Sequence, residues 1–282
     1  MRAVTIKDTN LSVEDHPDPT PGAGECLVRV RAAGVNGADM MQRRGFYPAP
    51  LGAPQDIPGL ELAGEVIERG AGASRFEIGD RVMGIVAGGG QAELAVVHER
   101  ILMAVPDNLD WTQAGGVGTA AIQLGHAAGA RVTATVRNPD HRDAVARLGA
   151  EVIAPEGFEQ HGPFDVILEL VGAPNLPANL QALGLWGRIM VIGIGAGAQA
   201  QLNLGLAMQK RARIYNSTLR PRPLEEKAMT ARAMERSVLP LLASGTVGVP
   251  IAATYLLEEA PAAYDRFAEG GKLGKIVLTT GG

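Results

Sequence analysis

The chain has 282 residues, 46% of them hydrophobic and 20% charged, enough apolar material for two domains with cores of their own. With 26 Lys and Arg against 30 Asp and Glu, the formal charge of −4 builds no one-signed field, which argues against a nucleic-acid or membrane-surface partner. One cysteine and five histidines without HxxxH or HExxH spacing exclude an internal disulfide and a multi-cysteine zinc site, and the expectation is that no metal is bound.

The opening MRAVTIKDTN carries no apolar stretch and no run of 18 apolar residues follows, so the expectation is a cytoplasmic chain without export signal or transmembrane helix. Short strands broken by Gly and Pro come first: RAVTI, ECLVRVRAAGV, ELAGEVIERG, DRVMGIV and QAELAVV, the pattern of a β-rich barrel or sandwich. Cys26 alternates inside ECLVRV and reads as a buried strand residue rather than a reactive thiol. From about residue 118 helical runs alternate with continuous apolar strands, as in a parallel sheet covered by helices. The spacing predicts a helix over 119–128 stopped by Gly129, a strand at 131–136, a charged helix over 139–148, the strand EVIA and the strand FDVILEL from Phe164. A helix over 175–183, strands at 187–194 and 213–219, and a long helix over 224–243 kinked by Pro240 come next. VPIAATY, a helix over 258–268 and KIVLTT close the chain and return to the first domain. No period of 20 to 50 residues repeats, which excludes a solenoid.

The run AGGVGTAAIQLGHAAGARV at 114–132 sets clustered glycines ahead of a helix and then a strand. Gly115, Gly116, Val117 and Gly118 are candidate phosphate-loop residues: glycines let a pyrophosphate approach the backbone, and a helix N-terminus offers free N–H donors. A GGVG run also serves as a packing turn, and the following helix, Gly129 and strand supply the context that favours the nucleotide reading. About 20 residues beyond the first loop glycine, where an acidic residue would take a ribose 2′-hydroxyl, stand Val136, Arg137 and Asn138. Arg137, helped by Arg142, can instead hold a 2′-phosphate, which favours NADPH over NADH. For either arginine the alternative is a solvated surface charge.

The residues before that loop do not fit it. A phosphate loop is launched from the end of a buried strand, yet VPDNLDWTQ precedes Ala114, and Asp110 followed three residues later by Gln113 reads as a helix capping box. A missing crossover of roughly 30 residues explains the join; the central strand of the nucleotide sheet is then absent.

Taken together, GVNGADMMQRRGFYPAP at 34–50, IPGLELAGEV at 57–66, GDRVMGIVAGGGQAELAVV at 79–97, GGVGTAAIQLG at 115–125, STLRPRPLEEK at 217–227 and GKLGKIVL at 271–278 resemble the zinc-independent quinone oxidoreductases of the medium-chain dehydrogenase/reductase superfamily, the zeta-crystallin branch. The resemblance spans nearly the whole chain. It implies an α/β fold: a β-rich GroES-like catalytic domain at 1–113 and 246–282, and a Rossmann-like doubly wound parallel sheet at 114–245, here missing its first strand. Zinc-bearing relatives need Cys and His ligands where this chain has Asn36 and the Leu60–Glu61 pair. The resemblance also identifies the join as an internal deletion between two AGGV-like stretches.

In such a family the residues after GVN approach the nicotinamide. Asn36 would then hydrogen-bond near the cofactor, Asp39 would order that loop and Tyr47 would line the cleft expected between the domains; turn formation or packing is the alternative for each. Gly193 and Gly195 resemble the strand-tip backbone that cradles nicotinamide, or form a turn. Arg220 resembles a family arginine near the cofactor, or salt-bridges on a surface loop. The implied activity is hydride transfer from NADPH to a small-molecule quinone or α,β-unsaturated carbonyl, in a chain that can form a homodimer. An enoyl reductase acting on a thioester differs only in substrate. The opposing expectation is an internally truncated, non-catalytic relative that binds cofactor weakly or not at all.

Overall fold

β1 (Arg2–Lys7) and β2 (Asn10–Asp15) form a hairpin. Its two-residue turn puts both Asp8 and Thr9 at positive φ, the left-handed geometry that matches strand twist. The structure, a computed structural model, describes residues 1–113 and 117–281, with side-chain detail omitted at 117 and 118. After the hairpin come β3 (Glu25–Val35), α1 (Gly37–Arg43), β4 (Glu61–Arg69), β5 (Arg81–Ile85), β6 (Leu94–His98) and β7 (Leu102–Ala104). Then α2 (Val117–Ala127), β8 (Val132–Thr135), α3 (Arg142–Ala146), β9 (Ala150–Ile153), β10 (Phe164–Glu169), α4 (Leu176–Ala182), β11 (Leu183–Val191), α5 (Leu204–Lys210) and β12 (Arg213–Asn216) follow. α6 (Leu224–Ser237), α7 (Leu239–Ala243), β13 (Ile251–Leu256), α8 (Ala260–Ala268) and β14 (Lys275–Thr279) complete the chain.

The chain divides into two units, 1–128 with 220–282 and 129–219. In the first, a sheet runs β13-β14-β3-β4-β5-β7, with β6 also on β3. β3 is long enough to serve two partners on one edge, pairing β6 through 25–29 and β14 through 32–35 while β4 holds the other edge. Its alternation buries Cys26, Val28 and Val30 with Leu62, Val66, Val82 and Leu102. Each such large aliphatic side chain contributes about 2 kcal/mol. A second cluster packs Val4, Val35, Met40, Ile276 and Leu278 against Leu257 and Tyr264 at the start of and within the α8 region.

The third cluster explains where the units part. Met83, Met103 and Leu109 pack against Ala231 and Leu242, with Leu124 of α2 at the margin. Gln123 of α2 exchanges hydrogen bonds with the Gly248 backbone, donating to its carbonyl and accepting from its N–H, each at 2.8 Å. So α2, α6 and α7, which the sequence reading assigns to the nucleotide domain, pack in the compact unit of the β-rich sheet, and the two compact units meet at 128/129 and 219/220. The expected single helix over 224–243 is two helices broken at Val238, with Pro240 in the first turn of the second, where its missing N–H costs nothing.

The second unit holds parallel strands in two pieces, β8-β9 and β10-β11-β12. In the doubly wound order 3-2-1-4-5-6, these pieces are positions 3-2 and 4-5-6, and no strand among the described residues stands between β8 and β10. Residues 105–113 form no strand either. Instead Asp110 N–H donates to Gln113 Oε1 at 3.0 Å while Asp110 Oδ1 accepts from Gln113 N–H at 3.2 Å and Thr112 N–H at 2.8 Å, the reciprocal box read from the sequence. Strand β11 starts earlier than expected, because its ladder skips from Leu183 to Arg188 opposite Phe164 and Val166; the intervening bulge carries Trp186 at φ 64°. The charged helix expected over 139–148 is a 3-10 turn (Pro139–His141) followed by the short α3.

Candidate functional site

Asn36 follows the end of β3 and is the N-cap residue of α1, a helix the sequence reading leaves as loop. Its N–H donates to Asp39 Oδ2 at 2.8 Å, and Asp39 Oδ1 accepts from Gly59 N–H at 3.1 Å. Asp39 thus ties α1 to the segment before β4. It is fully buried, and burial above all raises its carboxyl to about 6, against the pull of the two backbone donors.

A second tie comes from across the sheet. Antiparallel register puts Ile276 opposite Val35, which brings Lys275 beside Asn36, and Lys275 Nζ donates to Asn36 Oδ1 at 2.8 Å. Lys275 also ion-pairs with Glu61 of β4, both side chains being largely buried. Gly34 makes the pair possible: a Cβ there would sit 1.8 Å from Glu61 Oε1 and 2.8 Å from Lys275 Cε. Its carbonyl accepts from Gln91 Nε2 at 3.2 Å, and Gln91 Oε1 accepts from the Tyr264 hydroxyl at 2.8 Å. Lys275 and Tyr264 carry no role in the sequence reading. The available signals were a lysine heading the apolar run IVL and the glycine in GVN.

Arg220 reaches the same neighbourhood from the other end of the unit's sequence. Its guanidinium donates to Ala87 O at 2.7 Å, Tyr47 O at 2.9 Å and Gln42 Oε1 at 2.6 Å, and stands 5.1 Å over the Tyr47 ring. Gln42 lies three residues after Asp39 on α1, hence on the same helix face. Arg220 is buried, with its pKa lowered chiefly by desolvation. Rather than forming a surface salt bridge, it clamps the Tyr47 loop to α1. The Tyr47 phenol itself is half-buried, with no hydrogen-bond partner among the described residues.

The remaining candidates lie elsewhere. Gly115 and Gly116 fall outside the described residues, and Val117 and Gly118 open α2. Arg137 is exposed just past the end of β8, and Arg142 Nε donates to Val136 O at 3.3 Å at that same strand end. Gly193 N–H donates to Glu169 O at 3.2 Å, and a Cβ there would lie 2.2 Å from Leu170 O, whereas one at Gly195 would meet nothing within 4 Å. Glu169, not singled out by the sequence, is buried and gathers the loop after β10, accepting from Gly172 N–H at 2.8 Å and from Val171 N–H and the Asn179 amide. Cys26 is buried, which raises its thiol pKa. Among the described residues no three His, Cys, Asp or Glu side chains gather closely enough to hold a metal ion, and no helix is long and apolar enough to cross a membrane.

Residues 22–107 match the alcohol dehydrogenase GroES-like domain family and residues 116–235 the zinc-binding dehydrogenase family. The chain belongs to the medium-chain dehydrogenase/reductase superfamily. This superfamily member is 27% identical over 343 aligned positions to the acryloyl-coenzyme A reductase of Metallosphaera sedula, covering 99% of this chain and 100% of that protein. It is 26% identical over 304 positions to the quinone oxidoreductase of Rattus norvegicus, covering 92% of this chain and 90% of that one. An alcohol dehydrogenase superfamily protein from Novosphingobium aromaticivorans has a similar structure, with TM-score 0.87, 26% identity and 100% of both chains covered. The superfamily assignment makes the chain an oxidoreductase of a family that binds NAD(P), with a GroES-like and a Rossmann-like part.

Proposed function

We propose that the chain is an NADPH-dependent oxidoreductase of the zinc-independent quinone oxidoreductase type, acting on a small quinone or α,β-unsaturated carbonyl. The observation that carries the reading is the array at the end of β3. Asn36 stands where zinc-bearing relatives keep a cysteine ligand, and Lys275, a cation, occupies the neighbourhood between Asn36 and Glu61. An ammonium there competes with a metal cation for the same carboxylate. A reduced nicotinamide supplies the hydride when bound; the protein supplies placement and donors. Asn36 offers an amide, Tyr47 a free phenol, and Arg220 with Asp39 fixes the loop that carries them.

The adenosine end fits the 2′-phosphorylated cofactor on charge. Arg137 and Arg142 both lie at the end of β8, and no ion pair of either is present among the described residues. The open space beside Gly195 leaves its backbone free for a ligand. The acryloyl-coenzyme A reductase relative keeps a thioester substrate in view, and a quinone fits better with a site whose donors are neutral, because quinol oxyanions protonate readily in water.

The split sheet favours a second reading: an internally shortened relative without cofactor binding. The lack of a strand between β8 and β10 among the described residues and the capping box at 110–113 support it, as does the alignment of 343 positions against a chain of 282 residues, an excess of 61. Titration of the purified chain with NADPH and NADH, followed by nicotinamide fluorescence, separates the two. Saturable binding that favours NADPH, weakened about tenfold in Arg137→Ala, supports the enzyme. A folded, monodisperse sample that binds neither nucleotide supports the shortened, non-catalytic relative.

A further inference from the structure

Lys275 is a donor without an acceptor, so its 2.8 Å contact with the Asn36 side chain can be made only to the amide oxygen. The orientation of that amide is thereby dictated by chemistry, and its nitrogen faces the opposite way. That nitrogen has little to do within the protein: Nδ2 reaches Gly34 O at 3.5 Å, a long contact to an oxygen already accepting from Gln91 at 3.2 Å. The Asn36 backbone is held independently through Asp39. Register explains the convergence. Ala32 opposite Ala63 carries Gly34 across from Glu61, and Val277 lies opposite Gly34 on the other side. Glu61 and Lys275 therefore meet over the one position of the central strand that has no side chain.

We propose that Lys275, ion-paired with Glu61, is a positioning residue that turns the Asn36 amide so that Nδ2–H2 is presented as a donor to a carbonyl oxygen of the bound substrate. This rests on the functional reading above and deepens it. When hydride, a proton with its electron pair, passes from the reduced nicotinamide to the substrate, the nicotinamide is oxidised and the substrate is reduced by two electrons. The negative charge gathers on the substrate oxygen. A donor already aimed at that oxygen stabilises the charged state more than the ground state and needs no reorganisation. Asn36 gives up no proton; the oxyanion takes one from water. Glu61 holds Lys275 in place through their ion pair. Without it the lysine would have no fixed direction, and the amide would be free to flip.

The test is a set of variants of the full chain, with NADPH affinity, kcat and KM for a small benzoquinone as readouts. Asn36→Asp keeps the contact with Lys275 but presents no donor. The expected result is a folded protein with unchanged NADPH affinity and kcat lowered about tenfold or more. Glu61→Gln/Lys275→Met, which strands no buried charge, is expected to lower kcat similarly, and Lys275→Arg to restore it to within about threefold. Adding Asn36→Ala to the Glu61→Gln/Lys275→Met pair is expected to cost nothing beyond Asn36→Ala alone; independent, multiplicative losses would overturn the proposal. A readout free of activity is the side-chain 15N amide signal of Asn36, identified by its loss in Asn36→Asp. It should shift in the Glu61→Gln/Lys275→Met protein, and an unmoved signal overturns the positioning role. Wild-type protein that fails to bind NADPH would sink the enzymatic reading, while the amide signal would still decide whether Lys275 orients Asn36.

Discussion

At the residue scale the buried polar groups of the first unit are almost all committed to one another, and each commitment has a measurable consequence. Asp39 is the clearest. Its carboxyl titrates near 6 in the folded protein against an ordinary 3.8, so the folded state holds the proton more tightly than the unfolded chain. The stabilisation from this group is full below about pH 4, declines as pH rises toward 6 and is lost above it, on the order of 3 kcal/mol in all. Asp39→Asn removes the titration. Urea midpoints measured from pH 4.5 to 7.5 should therefore show the wild type losing ground to the variant as pH rises, and a constant difference would refute the assignment. Tyr264 gives a second case. Its hydroxyl is buried against Gln91, and burial holds its pKa well above the usual phenol value. Tyr264→Phe leaves Gln91 Oε1 without that donor inside the core, and a loss of about 1–3 kcal/mol in chemical denaturation is expected. The GVN resemblance singles out Asn36, Asp39 and Tyr47 as candidates. Lys275 and the commitments of Arg220 were not legible in the sequence, because each works through a partner far away in sequence: Lys275 and Asn36 are 239 positions apart, and Arg220 and Gln42 178.

At the scale of elements, periodicity and punctuation found most strands and helices, and each miss has a physical reason. α1 spans seven residues and β7 three, too short for a repeat to register. α1 holds because Asp39 caps it and Met40 packs into the core. β2 escaped because its turn is Asp-Thr rather than a glycine pair. The end of β11 separates two glycines that look alike in the sequence. Gly193 faces the Leu170 carbonyl at a distance no methyl tolerates, whereas Gly195 faces open space. Gly193→Ala should lower stability by about 2–4 kcal/mol, and Gly195→Ala should leave the thermal midpoint unchanged while weakening NADPH binding. If both substitutions behave alike in melting experiments, the distinction drawn from the backbone fails.

At the scale of the whole molecule the two units differ in how completely they bury their strands. The first closes β3, β4 and β5 over a continuous apolar cluster. The second leaves Val166 and Leu168 of β10, Leu185 and Trp186 of β11 and Ile214 of β12 exposed, although strands of a parallel sheet are normally covered on both faces. The edges of β8 and β10 that would flank a central strand have no strand partner among the described residues. Backbone amides of β8 and β10 should therefore exchange with solvent at least about tenfold faster than those of β3 and β4, and limited proteolysis should cut within 129–219 first. Equal protection in the two units would mean that the gap is closed in solution.

The sequence by itself determined most of the longer strands and helices, the two-part α/β character, the superfamily motifs and the capping box at 110–113, since all of these are written in local patterning and neighbour chemistry. Tertiary structure decided the rest. Whether α2, α6 and α7 cover one sheet or the other depends on which apolar face is available, and Met83 and Met103 supply it. The electrostatics of Asn36 depend on a lysine and a glutamate brought together by strand register over a glycine. Register and burial are properties of paired strands, and no window of consecutive residues contains them.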